Sequence, residues 1–159
     1  MKDPNAGLSA HFQTFLPSFL ESSRELTDSI QHGLLRLEER GPEDPVPLKE
    51  ISRALHSLKG GAMTLGLQEI STLCHSMEDL LDKFDPEEEG AAETVFNVLL
   101  DACDALRAVM DGLERSPEDP VDVTGITRRI TSLLDPDAGD ATPPEDELMA
   151  ACSATILSA

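Results

Sequence analysis

The chain has 159 residues, 31 of them acidic against 12 basic, and a formal net charge of −19. That charge repels phosphate backbones and anionic headgroups, which argues against nucleic acid and anionic membrane surfaces as partners. Trp and Tyr are absent and aromatics make up 3% of residues, so the core must be built from Leu, Ile, Val, Ala, Met and Phe, which suits one all-α domain of ordinary size.

In chain order, a first helix is expected over about residues 8–40, where Phe19, Leu26, Ile30, Leu34 and Leu37 recur at threes and fours. Gly41 and Pro42 end it. Pro17 predicts a kink or a break in its early turns, because proline lacks a donor and crowds the preceding turn. A second helix over 46–65 opens at prolines that a first turn tolerates, and it carries Leu48, Ile51, Leu55, Leu58, Ala62 and Leu65. Gly66 fits the left-handed residue that closes a helix. The third helix, over 67–84, presents Ile70, Leu73, Cys74, Met77, Leu80, Leu81 and Phe84 on one face.

Asp85-Pro86 interrupts the pattern before a fourth helix over 88–114, with Val95, Phe96, Leu99, Ala102, Leu106, Val109, Met110 and Leu113 on one side. Pro117 and Pro120 close it. A shorter fifth helix over 121–134 runs through Val123, Ile126, Ile130, Leu133 and Leu134, weakened by Gly125. Residues 135–159 begin with an acidic stretch rich in Asp, Pro, Ala and Gly, which predicts a disordered, flexible linker or tail. Short connections favour an antiparallel up-down-up-down four-helix bundle with the fifth helix packed on it. No stretch reaches the ~20 apolar residues of a membrane span, and the first residues lack a signal-like apolar run, so no membrane insertion and a cytoplasmic setting are expected. Cys74, Cys103 and Cys152 are odd in number and lack zinc spacing, which predicts packed, reduced thiols and no metal.

The second helix breaks a local rule at His56-Ser57-Leu58-Lys59-Gly60-Gly61. Two adjacent glycines each cost about 1 kcal/mol relative to alanine in a helix, so something must require them. With the core stripe running through Leu55 and Leu58, residues 52, 56, 59, 60 and 63 share an outward face. His56 therefore stands beside Lys59 and one turn before Gly60, an accessible nucleophile with an ammonium nearby to balance phosphoryl charge. Each feature alone has a plain explanation as a solvated His, a solvated Lys or a close helix contact; jointly those explanations weaken. On the third helix, His75 and Glu78 share a flank with Ser71 and Asp82. An antiparallel turn at Gly66 brings that flank to His56, where a carboxylate accepting the Nδ1 hydrogen leaves Nε2 free to attack phosphorus.

The run from His56 to Ala62, followed by Leu65-Gly66-Leu67, resembles the phosphorylation motif of histidine-containing phosphotransfer domains, a His-x-x-Lys-Gly core with a later glycine. Segments 19–26, 34–38 and 75–82 resemble the amino-terminal domain of CheA-type chemotaxis histidine kinases, and the resemblance covers roughly residues 8–134. It implies a phosphoryl carrier without catalytic activity in isolation. The ATP-binding domain of a histidine kinase phosphorylates Nε2 of His56, and a response-regulator receiver of the CheY or CheB kind then takes the group onto its aspartate. Residue by residue, the resemblance makes His56 the phosphoacceptor, Lys59 the phosphoryl-side cation, Glu78 the partner of Nδ1 and His75 a member of the same network, with Gly60 giving access. Leu67 stands where an aromatic is common, and Pro17 departs from the pattern of the first helix.

No glycine-rich nucleotide loop or metal-binding carboxylate group is visible in the sequence, so no cofactor is expected on the domain; ATP and Mg²⁺ come with the kinase and the receiver. A monomer is expected. The alternatives are a stand-alone phosphotransfer protein or helical adaptor acting through its bundle surface, and a ferritin-like metal bundle. The last needs inward Glu and Glu-x-x-His ligands on several helices, and only one pair, in reversed order, stands out.

Overall fold

Apolar residues spaced at threes and fours form five helices in the structure, a computed structural model that describes residues 6–42, 44–116 and 121–135. These are α1 (Ala6–Arg40), α2 (Pro45–Leu65), α3 (Gln68–Lys83), α4 (Ala91–Arg115) and α5 (Thr124–Leu134). Each of α1 to α4 packs on two of the others, α1 against α2 and α4, α3 against the same two, and α5 lies on α3 and α4. This is the expected four-helix bundle with a fifth helix on its side. Its axis is filled by Ile30, Leu34, Leu37, Leu55, Leu58, Ile70, Leu73, Met77 and Leu106, all fully buried, and the rings of Phe84 and Phe96 meet at 5.5 Å.

The boundaries differ from expectation where local bonding intervenes. α1 continues through Pro17 without a break; Pro17 and Gln13 are both exposed, so the carbonyl that loses its partner is open to water. α2 opens at Pro45, with Asp44 accepting a hydrogen bond from the Val46 N–H. α3 begins at Gln68 because Leu67 belongs to the turn. The Leu67 N–H donates to Ala62 O at 2.8 Å and the Gly66 N–H to Met63 O at 3.2 Å, while Gly66 sits at φ 73. This paired closure, with Leu67 buried, holds α2 and α3 antiparallel. α4 starts later than expected, because residues 88–90 form a turn ending at Gly90 with φ 79. α5 also starts later, since Val121 packs against Gly112; a Cβ at Gly112 would lie 2.6 Å from Val121 Cγ2.

Gly33 has a similar task. A Cβ there would stand 2.7 Å from Ile51 Cγ1, so its absence lets α1 and α2 approach. Cys74 and Cys103 are buried, with no disulfide among the described residues; burial raises both thiols, Cys103 to about 12. Cys152, Pro117, Pro120 and, apart from Asp135, the expected tail lie outside the described residues. Among the described residues no helix is long and apolar enough to cross a membrane, and no group of His, Cys, Asp and Glu is assembled that could hold a metal ion, so the ligand set of a ferritin-like site is not formed there.

Candidate functional site

Leu55, Leu58 and Ala62 turn one face of α2 to the core, which leaves His56, Lys59 and Gly60 on the strip beside it. The tight turn at Gly66 then fixes the register of α3, and Glu78 arrives next to that strip. One carboxylate oxygen of Glu78, Oε2, accepts a hydrogen bond from Lys59 Nζ at 2.6 Å. The other, Oε1, lies 3.7 Å from His56 Nδ1, just outside hydrogen-bond reach. The imidazole is 78% exposed whereas the Lys59 and Glu78 side chains are 20% and 18% exposed. Glu78 Oε1 is buried and has no hydrogen-bond partner among the described residues. An unpaired buried polar atom costs about 1–3 kcal/mol, and a small turn of the His56 ring would bring Nδ1 within reach of this oxygen. With Nδ1 turned toward it and most of the ring exposed, Nε2 is the nitrogen left to solvent.

The adjacent glycines have separate reasons. A Cβ at Gly60 would meet nothing within 4 Å, so this side of His56 is open; a Cβ at Gly61 would lie 3.0 Å from Phe19 Cε2, so Gly61 is a packing contact with α1. Gly66 is the helix-closing residue described above. His75 does not join the Glu78 network expected for it. Its Nε2 lies 3.5 Å from Asp79 Oδ2, one turn along α3, and its side chain is 64% exposed. Asp79 lies at the i+4 position, one turn along the exposed side of α3, whereas Glu78 turns its carboxylate toward Lys59 on α2. Of the flank expected to face His56, Asp82 does so. It lines a hollow of about 500 Å³ with Ser52, Arg53, His56, Ser57 and Glu78, and neither Ser71 nor His75 borders it. Sequence reasoning missed the lock between Lys59 and Glu78 and overlooked Arg53, whose i−3 spacing from His56 was its available signal.

A bare imidazole with one nitrogen aimed at a buried carboxylate can act as a nucleophile toward phosphorus, and on a helical bundle that arrangement defines the histidine phosphotransfer class. A family model of the Hpt domain matches residues 14–114. The chain belongs to the Hpt domain family. It is similar to the chemotaxis protein CheA of Klebsiella aerogenes, with 37% identity over 111 residues, which are 70% of this chain and 16% of that protein. The chemotaxis protein CheA of Salmonella typhimurium is 31% identical over 150 residues, 94% of this chain and 22% of that protein. The chain thus spans about a fifth or less of these relatives. Among solved structures, the phosphorylated P1 domain of CheA3 from R. sphaeroides, in complex with CheY6, matches with a TM-score of 0.64 and 25% identity, over 76% of this chain and 95% of that one.

Proposed function

We propose that the domain carries a phosphoryl group on Nε2 of His56, taking it from the ATP-bound catalytic domain of a CheA-type histidine kinase and passing it to an aspartate of a response-regulator receiver in the cytoplasm. The observation that carries this reading is the exposed ring whose Nδ1 points at the buried, unpartnered Glu78 Oε1. In the first step the Nε2 lone pair attacks the γ-phosphorus of ATP as the bond to the ADP oxygen breaks. Positive charge develops on the ring, and Glu78 stabilises it by accepting the Nδ1–H bond. In the second step an aspartate oxygen of the receiver attacks phosphorus, the N–P bond breaks, and Nε2 recovers its electron pair. ATP and Mg²⁺ enter with the partners, so the domain itself is a substrate and then a donor. The similarity to a phosphorylated P1 domain bound to CheY6 supports a receiver as the second partner.

The test is incubation with a purified CheA-type kinase core and radiolabelled ATP, comparing the protein with His56→Gln. Acid-labile, base-stable label is expected on the parent protein alone. Equal labelling of His56→Gln would place the acceptor elsewhere.

A further inference from the structure

Lys59 is the cation that the motif assigns to the phosphoryl group, yet one of its three N–H donors and its charge are committed to Glu78 Oε2 at 2.6 Å. Moving Lys59 away would break that bond and leave the Glu78 carboxylate, whose side chain is 18% exposed, without its cation. Another cation stands closer to free. Arg53 lies three residues before His56, on the same helical face, and borders the same hollow. Helical side chains lean toward the amino terminus, so the His56 ring tilts over the turn that carries Ser52 and Arg53. Arg53 is exposed and makes no hydrogen bond or ion pair with any described residue. Asp82 borders the hollow too, and the two do not pair. The hollow is therefore bordered by an arginine with no partner among the described residues, three residues along the helix from the acceptor.

We infer that Arg53 is the residue that engages the phosphoryl oxygens once they are on His56, while Lys59 stays with Glu78. This rests on the reading of His56 as the acceptor. A guanidinium presents paired donors that match two phosphoryl oxygens, which an ammonium does not. Its charge also counters the Glu78 and Asp82 carboxylates that the dianionic group meets on arrival in a chain of net charge −19. Lys59 then has a different task, holding Glu78 in register for Nδ1.

The experiment compares the parent chain with Arg53→Gln, Arg53→Lys and Lys59→Gln, each phosphorylated with phosphoramidate as a small donor and, separately, with a CheA-type kinase core and ATP. The readouts are the labelling rate and the pH titration of the phosphohistidine ³¹P resonance, with circular dichroism to confirm the fold. Arg53→Gln is expected to slow labelling by phosphoramidate about three- to tenfold and to move the phosphoryl titration to higher pH, as loss of a nearby cation requires. Arg53→Lys restores part of both, and Lys59→Gln moves the titration less than Arg53→Gln. A titration curve for Arg53→Gln that superimposes on the parent's would overturn the inference, as would a rate loss confined to the kinase, which marks a docking residue instead. Failure of the parent chain to become phosphorylated on His56 by either donor would instead overturn the acceptor reading itself.

Discussion

Along α1 and α4, Arg24 donates to Asp111 and Glu114 at 2.7 Å each, and Arg107 bridges to Asp28 at 3.0 Å and to Gln31. Every one of these charges is answered on the facing helix, and none is deeply buried. Along α2 and α3 the arrangement is different. Lys59 and Glu78 are mostly buried, one Glu78 oxygen is satisfied, and the other is aimed at an exposed imidazole it does not quite reach. Exposed, mutually satisfied pairs contribute at most about 1 kcal/mol each to stability. The α1/α4 seam is thus a clamp that selects helix register, while on the α2/α3 seam a partly buried, incompletely paired carboxylate faces the exposed His56 ring.

The sharpest way to break this contrast is to remove one charge from each seam. Glu78→Gln is expected to slow kinase-dependent phosphorylation of His56 about 10- to 100-fold, because an amide stabilises the charged ring poorly. Arg24→Gln is expected to lower stability by about 1 kcal/mol or less and to leave the labelling rate unchanged. Initial labelling rates and thermal unfolding curves for both variants check the pair. Comparable slowing by Arg24→Gln would mean that the two seams do not divide the work.

The two glycines beside the site sharpen the contrast on a smaller scale. Replacing an exposed helical glycine by alanine gains about 0.5–1 kcal/mol of stability. Gly60→Ala should realise that gain, since its new Cβ meets nothing. Gly61→Ala should fall short of it, because Phe19 has to yield. Denaturant midpoints of the two variants decide the order. If they rank the other way, the open side of His56 is itself a packing surface. Gly60→Leu, whose side chain leans back over His56, is then the variant that slows labelling without unfolding the domain.

The fold was legible because its signals are local. The spacing of Leu55, Leu58 and Ala62 needs only one helix to be read, and the Gly66 turn is short enough that placing α2 also places Glu78. What could not be read depended on competition between residues far apart in sequence. Whether His75 pairs with Glu78 or Asp79 depends on which way Glu78 turns once Lys59 on α2 packs beside it. Gly61 cannot be explained until Phe19 arrives from α1, and Pro17 breaks a helix only where the stranded carbonyl lacks water. The lock on Lys59 was hidden for the same reason, since a motif places an ammonium near a histidine and does not say which neighbour holds it.

The smallest effect is expected at the start of α5, a helix that packs on α3 and α4 but not on α2. Asp122 accepts a hydrogen bond from the Thr124 N–H at 2.9 Å, and bonding by the Thr124 side chain and then its backbone holds the Asp122 carboxyl below its ordinary value. The bond closes a turn just ahead of α5, whose N-cap is Val123, and the group is almost fully solvated, so screening limits its worth to about 0.5–1 kcal/mol. A depressed folded-state value means that the unfolded chain binds the proton more readily. The contribution is therefore present above the unfolded carboxyl range near pH 4 and is lost as pH falls through the folded value. Asp122→Ala should melt a few degrees below the parent at pH 7, and that gap should narrow in acid, with the rate of His56 phosphorylation at neutral pH unaltered. A gap that stayed constant down to pH 2 would show that the carboxylate charge contributes nothing to this turn. A change in phosphorylation would instead tie α5 to the α2/α3 seam through α3, the helix it packs against, and the division of the bundle into a clamp and a working edge would have to be redrawn.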